Sequence, residues 1–182
     1  MDAAAAADFF AVVLLAAAVA TVAATISPTL RPAIVDVAPQ LAAAVAIGAT
    51  VGSLYFSERA GFIPCELCWY QRIAMYPLAV ILAIAAFRRD RGIAPYGLPL
   101  GVTGLAISAY HVQLQLFPDQ ASFCDVANPC GGRWVEALGW MTIPLMAGTS
   151  FALVIALTII ARLPQPDETP HDAATDTVLI DS

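Results

Sequence analysis

The chain has 182 residues, of which 60% are hydrophobic and 12% are charged, and its formal net charge is −6. Soluble domains average about 45–50% apolar and about 25% charged residues, so this composition excludes an ordinary soluble domain. All eight cationic residues are arginine and they form no basic patch, so no nucleic-acid partner is expected.

Five apolar stretches approach the roughly 20 residues that a membrane-spanning helix needs. They are Phe9–Ile26, Leu41–Phe56, Trp69–Phe87, Ile93–Phe117 and Ile143–Ala161. The stretches are continuous and rich in Ala, Leu and Val, without the period-two alternation that is typical of membrane strands. The predicted fold class is therefore an all-α membrane protein, and too little chain remains for a separate soluble domain.

The two ends of the chain differ in character. Phe9–Ile26 could be a secretory signal peptide, but Asp2 and Asp8 stand where such peptides carry a cationic region, so we expect a retained transmembrane helix. Residues 164–182 are acidic and poor in apolar side chains. A segment of this kind cannot bury enough apolar surface to fold, so it is predicted to be a disordered tail.

The arginines predict the orientation in the membrane. If all five stretches cross, five arginines share one side, namely Arg31, Arg88, Arg89, Arg91 and Arg162. The other side has three, namely Arg59, Arg72 and Arg133. Because short arginine-rich loops stay in the cytoplasm, the first side is predicted to be cytoplasmic, together with the acidic tail.

The four cysteines form two close pairs along the chain, Cys65/Cys68 and Cys124/Cys130. Two apolar stretches lie between the pairs, and an even number of crossings returns the chain to the side that it left. Both pairs are therefore expected to face the same compartment. The arginine distribution makes that compartment the outside of the cell, where disulfides form and persist.

Three interpretations of the cysteine pairs compete. Structural disulfides would close small rings, which stabilise a fold by only about 2 kcal/mol each in the chain-entropy model. A four-thiolate zinc site is disfavoured by an oxidising compartment and by the membrane helices between the pairs, so no metal is expected. Redox exchange remains, and C-x-x-C is a frequent redox motif.

The residues around Cys65 and Cys68 favour redox chemistry. Pro64 suits the first turn of a helix that continues through Trp69–Phe87. Thiolates near a helix N-terminus are stabilised by unpaired N–H groups and by the helix dipole. Arg72 follows Cys68 by one turn, so its guanidinium can stabilise a thiolate or polarise a carbonyl held beside it. The alternative for Arg72 is an interfacial side chain that extends towards water.

Several motifs follow one another along the chain. Residues 64–73 read Pro-Cys-Glu-Leu-Cys-Trp-Tyr-Gln-Arg-Ile, with Met-Tyr-Pro at 75–77. Residues 111–118 read His-Val-Gln-Leu-Gln-Leu-Phe-Pro, followed by Cys-Asp at 124–125, Trp134, Leu-Gly at 138–139 and Ile-Pro at 143–144. Together these motifs resemble the DsbB/BdbC family of disulfide-bond formation proteins, and the resemblance spans about Val37–Ala161. C-x-x-C precedes the loop cysteines, which favours this family over the related vitamin K epoxide reductases.

The resemblance implies a fold and a division of the chain. Residues 37–163 would form a four-helix transmembrane bundle with two extracytoplasmic cysteine loops. Residues 1–36 would be one extra N-terminal transmembrane helix and a linker. The loop between Cys124 and Cys130 is as short as in BdbC-like members, so a long membrane-parallel segment within it is not expected.

The resemblance also implies a function, that of a thiol:quinone oxidoreductase supporting disulfide formation in exported proteins. A thioredoxin-like (DsbA-like) partner would attack a Cys124–Cys130 disulfide at Cys124. Cys130 would then attack Cys65, and Cys68 would pass electrons to a ubiquinone or a menaquinone. The different-class alternative is a non-catalytic membrane scaffold or assembly factor with structural disulfides.

Three polar residues are the predicted quinone contacts. Arg72 is the first, and His111 and Gln115, one helical turn apart at the end of the fourth stretch, are the others. Polar residues at membrane depth are costly and often functional, although a histidine near a helix end is also often only interfacial. After Cys130, the spacing of Trp134, Leu138 and Met141 predicts a short helix lying flat on the outer leaflet, or a continuation of the last helix.

Overall fold

The computed structural model describes residues 2–90, 92, 94–120, 124–125 and 127–164. Arg91 and all but the first residue of the predicted tail lie outside the described residues. The helices are α1 (Ala3–Ile26), α2 (Arg31–Leu54), α3 (Glu66–Arg88), α4 (Ala94–Leu116) and α5 (Ile143–Ile160). A π-helical turn (Tyr55–Arg59) extends α2, a 3₁₀ turn (Pro118–Gln120) follows α4, and two short strands, β1 (Glu136–Ala137) and β2 (Met141–Thr142), precede α5.

Within the described part of the chain, four helices are long and apolar enough to cross a membrane: α1, α2 with its π-helical turn, α3 and α5. Helix α4 is not among these four, but its 23 residues give it a length of about 35 Å, enough for a hydrocarbon core of about 30 Å. It runs antiparallel to α3, because Gly97 near its start lies against Leu82, and His111 near its end lies against Cys65. Helix α4 therefore returns the chain along the full length of α3.

Helices α2 to α5 form a closed bundle in which each helix packs against two others, in the order α2, α3, α4, α5 and back to α2. Leu78, Leu82, Phe151 and Leu157 are buried in its core. A Cβ atom at Gly104 of α4 would clash with the Phe151 ring, so the glycine permits this close approach to α5. The predicted all-α membrane fold is confirmed.

Helix α1 is the additional element and lies against α2, α5 and β1. Asp2 caps it by accepting a hydrogen bond of 2.7 Å from the backbone N–H of Ala5. Farther along, the Asp8 carboxylate accepts one of 2.8 Å from the backbone N–H of Leu138. Its outward side chains, such as Val19, are exposed, as expected for a helix with one face towards lipid.

Two details differ from the prediction. Helix α2 begins at Arg31 rather than near Leu41, because Pro32 suits a first helical turn and Pro39 is accommodated within the helix. The expected flat helix after Cys130 is wrong, since the segment forms the antiparallel hairpin β1–β2. Leu138 and Gly139 have positive φ angles of 53° and 79° and lie within the three residues that connect the two strands.

Candidate active site

The four cysteines lie in one cluster where the start of α3 meets the segment between α4 and β1. Cys65 and Cys130 are buried together with Leu67 and Leu114, and Cys68 and Cys124 pack against them. Cys124 and Cys130 form a disulfide. Cys65 and Cys68 are free thiols whose Sγ atoms lie 3.0 Å apart. One disulfide and one dithiol therefore stand side by side, which is the arrangement that exchange between two cysteine pairs needs.

The start of α3 explains how the dithiol is held. Cys65 is the N-cap residue, with extended backbone, and Cys68 lies one turn into the helix. Pro64 thus precedes the cap and does not occupy the first helical turn as predicted, because Cys65 itself ends the extended segment. Unpaired N–H groups of the first turn surround this end of the helix, and the helix dipole favours negative charge there.

His111 connects the two cysteine pairs. Its Nε2 atom lies 3.7 Å from Cys65 Sγ and 3.0 Å from the carbonyl oxygen of Cys130. A carbonyl oxygen can only accept, so Nε2 carries a proton and donates it. Its other ring nitrogen, Nδ1, is buried and has no hydrogen-bond partner among the described residues. A neutral His111 therefore keeps one unused acceptor beside the dithiol.

The surroundings of Cys65 favour its thiolate. The hydrogen bond from the Cys68 thiol and the contact with His111 lower the pKa of Cys65 from 9.0 to about 4, although burial acts in the opposite direction. The thiolate is the nucleophilic form of cysteine. The contacts with Cys68 and His111 therefore favour the nucleophilic form of Cys65.

A pH titration of the reduced pair should show this directly. With the Cys124–Cys130 disulfide intact, the ultraviolet absorbance of thiolate should rise as the pH increases through about 4, far below the ordinary value of 9.0. His111→Ala should move this step to higher pH, because one source of stabilisation is lost. Gln113→Ala is the control, since that side chain bonds Gln120 on the exposed side of the same helix. A single step near 9.0 in the unmodified protein would contradict the assignment.

Glu66 holds the disulfide loop against α3. One carboxylate oxygen accepts a hydrogen bond of 3.2 Å from the backbone N–H of Asp125, and the other lies 3.8 Å from Cys130 Sγ. Cys130 is disulfide-bonded, so the second approach is a contact without a donated proton. Its place inside the C-x-x-C motif was the only sequence signal for this role.

Arg72 is buried and tied to α2. Its Nε atom donates to Ser53 Oγ and its Nη2 atom to the Ser53 carbonyl, both at 2.9 Å. The guanidinium also lies 5.2 Å from the centre of the Trp69 ring, within the range of a cation–π contact. Because Arg72 is buried, it is not the interfacial side chain extending towards water that was the alternative interpretation. Ser53 was not identified from the sequence, because nothing near it in the chain indicates its partner.

Gln115 joins α4 to the segments that follow it. Its Nε2 atom donates to the carbonyl of Gly132 at 3.2 Å, and its Oε1 atom accepts from Thr142 Oγ1 at 2.8 Å. Both polar atoms of the side chain are thus already bonded within the protein. Gln115 consequently fixes the position of the segment that carries Cys130.

A cavity of about 360 Å³ adjoins the dithiol. Its polar lining includes both α3 cysteines and the three predicted quinone contacts, namely Cys65, Cys68, Arg72, His111 and Gln115. Cys130 also lines it, whereas Cys124 does not appear in the lining. The remaining wall is largely apolar and includes side chains of α1, α2, α3 and α5. An apolar cavity with a few converging polar groups is typical of a site for a small organic ligand.

Comparison with known proteins identifies the family. Residues 36–161 match the family model described as "Disulfide bond formation protein DsbB". The chain is 47% identical over 113 residues to "Disulfide bond formation protein C" of Bacillus subtilis, covering 61% of this chain and 82% of that protein. It is 42% identical over 118 residues to "Probable disulfide formation protein C" of Halalkalibacterium halodurans, covering 63% and 85% respectively.

The matched region contains both cysteine pairs and the helices that carry the cavity, apart from α1. No solved structure matches the chain. The resemblance inferred from the motifs is confirmed. The chain belongs to the DsbB family of disulfide bond formation proteins.

Proposed function

We propose that this protein is a membrane thiol:quinone oxidoreductase that reoxidises an extracytoplasmic thioredoxin-like (DsbA-like) disulfide donor. The observation that carries the proposal is the contact between the Cys124–Cys130 disulfide and a dithiol at His111, beside an apolar cavity. A scaffold with structural disulfides would not need a free thiol pair with a stabilised thiolate at a ligand-sized cavity. Membership of a disulfide-formation family supports the same conclusion.

The proposed orientation places the cysteine cluster outside the cytoplasm and the C-terminal tail inside it. Arg88 and Arg89 lie at the opposite end of α3 from Cys65, and Arg162 follows α5. These arginines support a cytoplasmic location for that end of the bundle. Labelling of Cys65 or Cys68 by a membrane-impermeant reagent applied only from the cytoplasmic side would contradict this orientation.

The exchange steps transfer two electrons and two protons from the partner dithiol to the Cys65/Cys68 pair. A partner thiolate attacks Cys124 Sγ, the Cys124–Cys130 bond breaks, and Cys130 leaves as a thiolate. Cys130 attacks Cys65 in its disulfide with Cys68, which releases the Cys68 thiolate. The partner's second thiol then displaces Cys124, which attacks Cys130 and frees Cys65. The products are an oxidised partner, a restored Cys124–Cys130 disulfide and a Cys65/Cys68 dithiol.

The cavity fits a quinone as the electron acceptor. When bound, a quinone would supply an acceptor for two electrons and two protons. Its flat apolar ring suits the largely apolar wall, and the unpaired Nδ1 atom of His111 is an orphaned polar atom that such a ligand would satisfy. Arg72 is a fixed cation that would bind a carbonyl oxygen, while a contact from Gln115 is less direct because its polar atoms are already bonded.

The residues of the dithiol complete the reaction. The Cys65 thiolate lies 3.0 Å from Cys68 Sγ, so the disulfide re-forms within the pair as the two electrons leave. His111 can hold one of the released protons at Nδ1 while Nε2 keeps its bond to the Cys130 carbonyl. In this proposal the electrons leave from the Cys65/Cys68 pair, and one of the protons is held by the neighbouring His111.

A reconstituted assay tests the function. Purified protein, a reduced thioredoxin-like dithiol protein and a short-tailed ubiquinone or menaquinone analogue are mixed, and the loss of quinone absorbance is followed. We expect many turnovers per protein molecule, with one quinone consumed per disulfide formed in the dithiol protein. A metal chelator should not change the rate, because no step uses a metal. Absence of turnover with both quinone classes would favour the scaffold alternative.

A further inference from the structure

We propose that helix α1 forms one wall of the quinone cavity and that Phe10 is a contact that sets quinone affinity and selectivity. The inference rests on the proposed function, since it concerns the ligand of the same cavity. It extends that function to a segment that precedes the region matched by the family, residues 36–161. None of the sequence motifs includes this helix.

One face of α1 lines the cavity. Phe10, Val13, Leu14 and Ala17 belong to the lining, and their spacing of three and four residues places them on a single helical face. The neighbouring Phe9 is 57% exposed and does not line the cavity. Helix α1 therefore has one face towards the ligand space and another towards lipid.

Phe10 lies close to the part of the site that holds Arg72. Its ring carbons would be 3.7 Å from a Cβ atom at Gly52, the residue just before Ser53. Ser53 is the residue that anchors the guanidinium of Arg72. The Phe10 ring also lies 6.1 Å from the Phe56 ring in an edge-to-face arrangement. The Phe10 ring and the guanidinium of Arg72, the predicted carbonyl-binding cation, thus lie next to adjacent residues of α2, Gly52 and Ser53.

The position of this wall is held by a polar contact. Asp8, two residues before Phe10, accepts the hydrogen bond from the backbone N–H of Leu138 in the β1–β2 hairpin. That hairpin leads directly into α5, which supplies another part of the cavity wall. The ring of Phe10 is therefore placed by both α2 and the hairpin, as a contact residue for a rigid flat ligand requires.

Equilibrium binding is the first test. Short-tailed ubiquinone and menaquinone analogues are titrated into the oxidised full-length protein without a thiol partner, and quenching of tryptophan fluorescence is recorded. Trp134 lies on the cavity wall and serves as a reporter. Phe10→Ala should weaken binding about three- to tenfold, the effect of losing one aromatic contact, and should change the ratio of the two affinities. Phe9→Ala is the matched control and should bind like the unmodified protein.

A second measurement does not depend on a variant. A photoreactive quinone analogue is activated in the unmodified protein, and the peptides are analysed by mass spectrometry after cleavage at arginine. Because cleavage at arginine does not occur before Pro32, the first cut follows Arg59, so α1 shares one peptide with α2 and fragmentation of that peptide locates the label. We expect labelling of this peptide at or near Phe10, and excess unlabelled quinone should suppress it.

The outcomes separate this inference from the proposed function. If the unmodified protein neither binds nor reduces quinone, the function itself is wrong. If it binds and reduces quinone while Phe10→Ala equals Phe9→Ala and no label is located on α1, the function stands and the role of α1 is overturned. Phe10→Leu, which keeps much of the apolar volume, should retain the fold and still alter selectivity.

Discussion

Cys65→Ser should abolish catalytic quinone reduction, with turnover falling at least about a thousandfold. Cys65 has two roles in the proposed relay, since it would receive the attack of Cys130 and later close the disulfide with Cys68. A serine hydroxyl forms no disulfide and is not ionised at neutral pH, so neither role survives. The measurement is quinone loss in the presence of excess reduced partner.

The outer half of the reaction should survive this substitution. The Cys124–Cys130 disulfide remains, so the Cys65→Ser protein should still oxidise about one equivalent of the partner in a single round, without turnover. Cys124→Ser should lose both activities. Thr149→Ala, which removes a hydroxyl that bonds the Leu145 carbonyl within α5, is the control and should keep full turnover. Turnover by Cys65→Ser at the unmodified rate would rule out the relay.

Arg72→Ala should raise the Michaelis constant for quinone by about ten- to a hundredfold, which corresponds to the about 1.5–3 kcal/mol of a hydrogen bond to a charged group. The guanidinium is fixed by two bonds to Ser53, so it can meet a carbonyl oxygen without reorganising. Arg72→Lys should recover only part of the affinity, because an ammonium group cannot reproduce the planar, two-point contact.

Two comparisons separate a quinone contact from a structural role for Arg72. Oxidation of one equivalent of partner in the absence of quinone should be unchanged in Arg72→Ala, because the cysteine pairs remain. Ser53→Ala should raise the Michaelis constant less than Arg72→Ala does, since the Ser53 carbonyl still accepts from Nη2. Equal quinone dependence in the unmodified protein and Arg72→Ala would remove Arg72 from the site.

The general architecture was predictable because it depends on local composition. Long continuous apolar stretches specify membrane helices in any tertiary context, since unpaired backbone groups are too costly in lipid. The helix starts were predicted less well. Helix α2 begins at Arg31, before its apolar stretch, and the segment after Cys130 forms a hairpin although its apolar spacing indicated a helix. Met141 is buried and Trp134 is exposed, so these two residues do not form the common apolar face that the predicted helix required. Gly139 has a positive φ, which a right-handed helix does not allow.

The sequence by itself determined the chemistry of this protein: its cysteine pairs, their place beside membrane helices, and the family to which they belong. Only the tertiary structure decided which distant side chains contact the cysteine pairs and the cavity beside them. His111 and Cys65 are 46 residues apart, Arg72 and Ser53 are 19 apart, and Leu138 and Asp8 are 130 apart. Contacts over such separations depend on helix packing, which brings together side chains that no local pattern relates. The wall that α1 adds to the cavity arises in the same way.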